Sequence, residues 1–111
     1  MNELLGKLIH KLYISKDRKT LIFITDQGQI GYDICGTHDS PFFLATITGA
    51  VFLWNATVRQ IDELGGSEFT YGYRIHTNKG PATIVFTGYG DLELHEESLF
   101  DYELVARDYP Y

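Results

Sequence analysis

The pattern that most constrains this fold is a hairpin signature that occurs twice. Ile30, Tyr32 and Ile34 alternate with Gln29, Gly31 and Asp33, and a period of two marks a strand with one buried face. Ahead of them Thr20 to Thr25 is an apolar run of β-branched and aromatic residues, the composition of a more central strand. Thr25-Asp26-Gln27-Gly28 joins the two as a turn, because Gly28 takes a positive φ at little cost. The same grammar returns at an offset of 52 residues: Tyr73 to Phe86 matches Leu21 to Ile34, with Thr77-Asn78-Lys79-Gly80 at the turn. A second echo, at an offset of 49, sets Leu5 to Leu12 against Trp54 to Ile61, with Ile9 over Val58 and Leu12 over Ile61. The implied order is strand, hairpin, strand, hairpin. Internal duplication and the shared grammar of hairpins both produce it.

The remaining segments fill in around this frame. Over Leu8 to Ile14 the even positions Leu8, Leu12 and Ile14 are apolar and His10 interrupts them, which predicts a half-buried strand and makes the first 35 residues a three-stranded meander. Ser40-Pro41 followed by Phe42, Phe43, Leu44 and Ile47, with Gly49 as a stop, predicts a short helix over 40–48. Thr57 to Leu64 fits a helix by the spacing of Val58, Ile61 and Leu64 and a strand by residue type; the repeat decides for a strand. A glycine-rich loop at 87–91 leads to Leu92-Glu93-Leu94 and a last strand within 102–106, and the terminal residues 108–111 fray unless their tyrosines dock. The expected fold is one β-rich α+β domain over residues 1–111. Two antiparallel meanders of about three strands each form a small sandwich or barrel, with the one short helix plugging an end. Leu12, Ile14, Phe23, Ile30, Tyr32, Ile34, Ile75, Ile84 and Phe86 are the expected core.

Composition narrows the setting. A chain of 111 residues with 44% hydrophobic and 22% charged residues fits one ordinary domain. The single Cys35 excludes an intramolecular disulfide. No apolar run nears the ~20 residues of a membrane span, and the start Met1 to Gly6 does not read as a signal peptide; the cytosol is the expected compartment, with no membrane partner. The net charge of −6 is uneven: residues 1–60 carry six basic and five acidic groups, residues 61–111 three and ten. This acidity, densest in the segment 91–111, disfavours direct nucleic-acid binding and suits solvation or a basic protein partner.

No catalytic constellation emerges. Cys35, His38 and Asp39 lie within five residues, but structural zinc usually shows two such pairs, so a loop cysteine with a capping aspartate is the simpler reading and no metal is expected. His38-Asp39-Ser40 are neighbours in sequence, whereas a relay is assembled from distant positions. Glu93, Glu96 and Glu97 around His95 read as a solvated acidic face. An enzyme would need His10, His76 or His95 to meet a carboxylate or Cys35 in a cleft. Dinucleotide and Walker-type motifs are absent from the sequence, so no cofactor is expected. A different binding mode uses Trp54, Tyr71, Tyr73 and Tyr89 to stack on a base, with Arg59 and Arg74 pairing to phosphate. The competing reading puts Tyr71 and Tyr73 on one strand face as packing.

The segments 2–7, 12–15, 25–28, 47–49 and 71–73, continuing through 77–80 to Ile84-Val85-Phe86, resemble a family of small uncharacterised domains encoded mostly by bacteriophages and prophages. The resemblance covers Met1 to about Asp91. Relatives often carry paired cysteines and a tryptophan before the Ile-Thr-Gly element; His38, Asp39 and Phe43 stand in those places here. The resemblance implies a phage setting in a bacterial host cytoplasm, without a reaction to carry over.

In that setting a small non-enzymatic protein acts by binding. One expectation is a sponge that counters host defence by sequestering a small nucleotide-type immune signal; the alternative is an inhibitor whose acidic second half, with Glu93, Glu96, Glu97, Asp101 and Glu103, covers a basic host protein. A concave site joining aromatics with Arg favours the sponge. A homodimer is expected because eight Tyr and seven Phe compete for one modest core.

Overall fold

The computed structural model describes residues 1–16, 18–36, 43–65, 70–87, 90–95 and 102–110. Among these, nine strands form: β1 (Leu8–Ser15), β2 (Thr20–Thr25), β3 (Gly28–Gly36), β4 (Phe43–Thr48), β5 (Ala56–Gly65), β6 (Thr70–Thr77), β7 (Pro81–Thr87), β8 (Gly90–His95) and β9 (Tyr102–Leu104). All described pairings are antiparallel, and eight strands run in the order β4-β7-β6-β5-β1-β2-β3-β8, with β9 added to β1. The predominantly β class and both meanders, β1-β2-β3 and β5-β6-β7, match the sequence reading. The sheet ends in β4 and β8 and does not close on itself.

That strand order maps onto itself when every strand is exchanged with the one four places away. An approximate two-fold axis passes between β1 and β5, and each half gives its fourth strand to the other: β4 pairs with β7, β8 with β3. The equivalence reaches individual hydrogen bonds. Thr25 Oγ1 donates to the Gly28 carbonyl at 2.7 Å and accepts from Gln27 N at 3.1 Å; Thr77 Oγ1 donates to the Gly80 carbonyl at 2.8 Å and accepts from Lys79 N at 3.1 Å. Asp26 Oδ1 accepts from Leu8 N and Asp26 N donates to the Leu8 carbonyl, both at 3.0 Å. Asn78 repeats this pair on Thr57, at 2.9 and 3.1 Å. Each first strand carries a bulge, at His10 in β1 and at Arg59 in β5. Each is preceded by a 3₁₀ turn, Asn2–Leu4 or Ala50–Leu53, that buries one leucine, Leu4 or Leu53. Gly6 and Asn55 then both take positive φ, 77° and 50°, and asparagine is among the few side chains that tolerate this. The two offsets in the sequence therefore mark an internal structural repeat.

The expected helix over 40–48 is corrected: Phe43–Thr48 is strand β4, while Ser40, Pro41 and Phe42 lie outside the described residues. Thr46, Ile47 and Thr48 are β-branched and fit a pleated surface, and pairing along β7 supplies backbone partners that a single helical turn and a half would not. Gly49 ends the strand in a left-handed conformation at φ 72°, and a Cβ there would strike the Pro81 carbonyl oxygen. The inward phase of β1 also differs from expectation. Ile9 rather than Leu8 is fully buried before the bulge, and Leu12 and Ile14 after it, because the extra residue at His10 reverses the alternation.

Both halves contribute to one continuous core, including Leu12, Ile14, Phe23, Ile34 and, on the exchanged strand β4, Ile47 from the first and Ile75, Ile84 and Phe86 from the second. Of the predicted core only Ile30 is partly buried. Among the described side chains no aromatic is fully exposed, so the core has room for more rings than composition suggested. Tyr32 reaches its edge and donates to Glu3 Oε1 at 2.7 Å. Burial raises the Tyr32 pKa, and this hydrogen bond lowers that of Glu3.

Asp26→Ala and Asn78→Ala each remove one clamp at the junction between halves. Urea unfolding should show both variants losing about 1 kcal/mol of stability; a loss confined to one of them would contradict the equivalence of the two clamps.

Candidate ligand-binding site

The candidates named from the sequence are distributed over several places. Trp54 follows the second 3₁₀ turn and is half-buried; its Nε1 donates to the Val105 carbonyl at 3.0 Å, and its own carbonyl accepts from Lys79 Nζ at 2.9 Å. It anchors the C-terminal segment. Tyr71 and Tyr73 lie on the inner face of β6 with rings edge to face at 5.3 Å and hydroxyls 3.2 Å apart. Tyr73 is 6% exposed and belongs to the core. Arg74, its neighbour along β6, is exposed on the opposite face, since successive side chains in a strand alternate. Tyr73 and Arg74 therefore cannot enclose one ligand. Arg59 is exposed at the β5 bulge, and Tyr89, like His38 and Asp39, lies outside the described residues. Among the described residues no group of three His, Cys, Asp or Glu side chains is placed to hold a metal ion.

A different arrangement joins arginines with an aromatic. Beyond β9 the chain continues as a strap across the body: Val105 N donates to the Leu12 carbonyl at 2.9 Å, Asp108 Oδ1 accepts from Ala50 N at 2.9 Å, and Tyr109 exchanges two backbone bonds with Ile47 at 2.8 and 2.9 Å. Tyr109 of this tail docks, while Tyr111 lies outside the described residues. In the polar turn after β1, Arg18 takes a positive φ of 63° and sets its guanidinium 4.4 Å from the centre of the Tyr109 ring, within cation–π range. Arg18 Nη1 is buried and has no hydrogen-bond partner among the described residues. Between turn and strap lies an open depression of about 390 Å³ lined by Arg18, Glu103, Leu104, Ala106 and Arg107.

Sequence reasoning did not single out Arg18, Arg107 or Tyr109 as a group. Arg107 was visible as one of only three cations in an acidic half, and Tyr109 as a tail residue in need of a partner. Their meeting with Arg18 is a long-range event without a local signature.

The outer face of β5, β6 and β7 carries a second polar cluster. His76 Nε2 lies 2.7 Å from Asp62 Oδ2, Gln60 Nε2 donates to Asp62 Oδ1 at 2.8 Å, and Arg74 Nε reaches Thr83 Oγ1 at 3.5 Å. The hydrogen bond from Gln60, then that from His76, holds the Asp62 carboxyl below the usual carboxylate range. This pair brings an imidazole to a carboxylate, but on an exposed sheet face, with side chains 36% and 43% accessible.

No protein-family model matches the chain, and neither a curated protein nor a solved structure shows a match to it.

Because Gln60 is the foremost cause of the Asp62 shift, carboxyl-carbon NMR should find Asp62 titrating below the ordinary aspartate range and moving up toward it in Gln60→Ala. The ionised Asp62 carboxylate that accepts these bonds is present above the depressed pKa and is lost as pH falls through it. An unchanged titration in the variant would assign the shift elsewhere.

Proposed function

We propose that this chain is a non-enzymatic, phage-encoded accessory protein that counters host defence by sequestering a small nucleotide-type signal in the depression between Arg18 and the C-terminal strap. The observation that carries the reading is the Arg18 guanidinium, stacked on Tyr109 with a buried Nη1 that lacks an acceptor among the described residues, in the same depression as Arg107. A buried donor on a charged group is costly to leave unmatched. A phosphate supplies acceptor oxygens and the opposite charge, and the planar guanidinium fork suits it.

The rest of the lining fits the same chemistry. Leu104 and Ala106 offer an apolar floor to a base, and the Glu103 carboxylate accepts from ribose hydroxyls or an exocyclic amine. About 390 Å³ falls in the lower part of the range of small-molecule sites, roughly 300 to 1,000 Å³. The aromatic and Arg elements of the sequence-derived expectation are retained, on different residues.

The experiment is calorimetry against mononucleotides, cyclic dinucleotides and ADP-ribose-type compounds, followed by recovery of the ligand after heat denaturation. Stoichiometric binding with unchanged ligand is expected. Arg18→Ala and Arg107→Ala should each weaken it about tenfold or more, the worth of one charge-assisted hydrogen bond at about 1.5 kcal/mol or above, while leaving the far-UV spectrum unaltered. A converted ligand would make the protein an enzyme. Absence of binding across the panel would put the acidic segment and a basic protein partner first.

A further inference from the structure

Four of the five residues lining the depression, Glu103, Leu104, Ala106 and Arg107, belong to the strap, counted with the strand β9 that it continues; only Arg18 comes from the body. The site is therefore incomplete unless the strap is docked. Its docking includes the short pairing of β9 with Tyr13, Ile14 and Ser15 of β1, the backbone bonds at Val105 and Tyr109, the side-chain bonds from Trp54 and to Asp108, and the Arg18–Tyr109 stack. From Tyr102 to Pro110, Val105 is the one side chain classed as buried, at 1% exposed. Each of these hydrogen bonds contributes on the order of 1 kcal/mol net. A segment held this way opens locally at a free energy well below that of the whole domain.

We infer that the strap is a ligand-coupled clasp: an anion bound between Arg18 and Arg107 strengthens strap docking, and strap opening releases the anion. The inference rests on the proposed binding reading and adds its regulation. A ligand that binds only the docked state shifts the docking equilibrium by its occupancy of that state. The same coupling acts in reverse, so a change that lowers the docked fraction weakens the ligand in proportion to that fraction. Asp108 is the natural handle, because it ties the strap to Ala50 N without lining the depression. The Arg18–Tyr109 stack is the contact through which the body senses the strap, since it links the anion-facing cation directly to the ring two residues beyond Arg107.

Hydrogen exchange on the full chain with inorganic pyrophosphate as the probe tests this. The amides of Ile47, Val105 and Tyr109 report the strap, and that of Ile75 reports the core. With pyrophosphate at ten times its dissociation constant, exchange at the strap amides should slow about elevenfold, with little change at Ile75. Asp108→Ala should speed strap exchange in the absence of ligand, and pyrophosphate at ten times its dissociation constant should slow it again by the wild-type factor, while Ile75 exchange confirms that the core stays folded. Failure of wild-type protein to bind pyrophosphate at all would overturn the anion site and the clasp together. Binding that is lost in Arg18→Ala yet leaves strap exchange unchanged in wild type would keep the site and overturn the clasp. So would an Asp108→Ala variant whose faster strap exchange pyrophosphate leaves unslowed.

Discussion

The architecture depends on a short antiparallel junction, Leu8 with Thr57 and Ile9 with Ala56, where the first strands of the two halves meet. Two ladder positions are a small interface between two four-stranded units. It holds because each side is clamped by the turn of its own hairpin: Asp26 closes on both polar backbone groups of Leu8, and Asn78 on those of Thr57. The strands are thereby fixed in register before they pair. The exchange of β4 and β8 between halves then makes separation of the halves impossible without breaking full-length ladders as well. The core follows as a consequence, since buried residues of both halves share a single apolar cluster.

What was legible in the sequence was local. The hairpins announced themselves through Thr-Asp-Gln-Gly and Thr-Asn-Lys-Gly, because those turns need a particular side chain at each position: a threonine hydroxyl to bridge the turn, an Asx oxygen to cap the neighbouring strand, and a glycine at φ 114° or 152°. The period of two in β3 and the residue types in β5 were legible for the same reason. Residues 43–48 were misread because capping and proline signals are also local, and a ladder with β7, nearly forty residues on, outweighs them. The bulge at His10 was hidden in a similar way: one extra residue reverses the inward phase, and only the register against β2 reveals it.

The candidate site was less legible, and the reason is physical. Stacking candidates were chosen by residue type, but a strand alternates its faces. The choice of Tyr73 with Arg74 therefore contained its own contradiction: one of the two had to point into the core, and Tyr73 does. The arginines that share a depression come from a turn early in the chain and from its last residues, joined by a strap whose path is set by backbone bonds to Leu12, Ala50 and Ile47. No pattern of spacing encodes such a meeting.

The departure from internal symmetry shows where the two halves differ in use. Trp54 and Leu5 are equivalent by the repeat, yet Trp54 is half-buried and donates to the strap while Leu5 is 45% exposed. An indole N–H can hold the Val105 carbonyl; a leucine has nothing to offer it. Likewise β1 buries Leu12, Ile14 and Ser15 where the strap lies along it, whereas the corresponding stretch of β5, Ile61 to Leu64, has no fully buried residue. Folding alone requires both halves equally, and the clamps, bulges and turns are accordingly kept in both. The features present in one half only are Trp54, the strap and the Arg18–Tyr109 stack. The strap and the stack border a depression lined by Arg18, Arg107, Leu104 and Ala106, and the proposed function places the ligand on this asymmetric side.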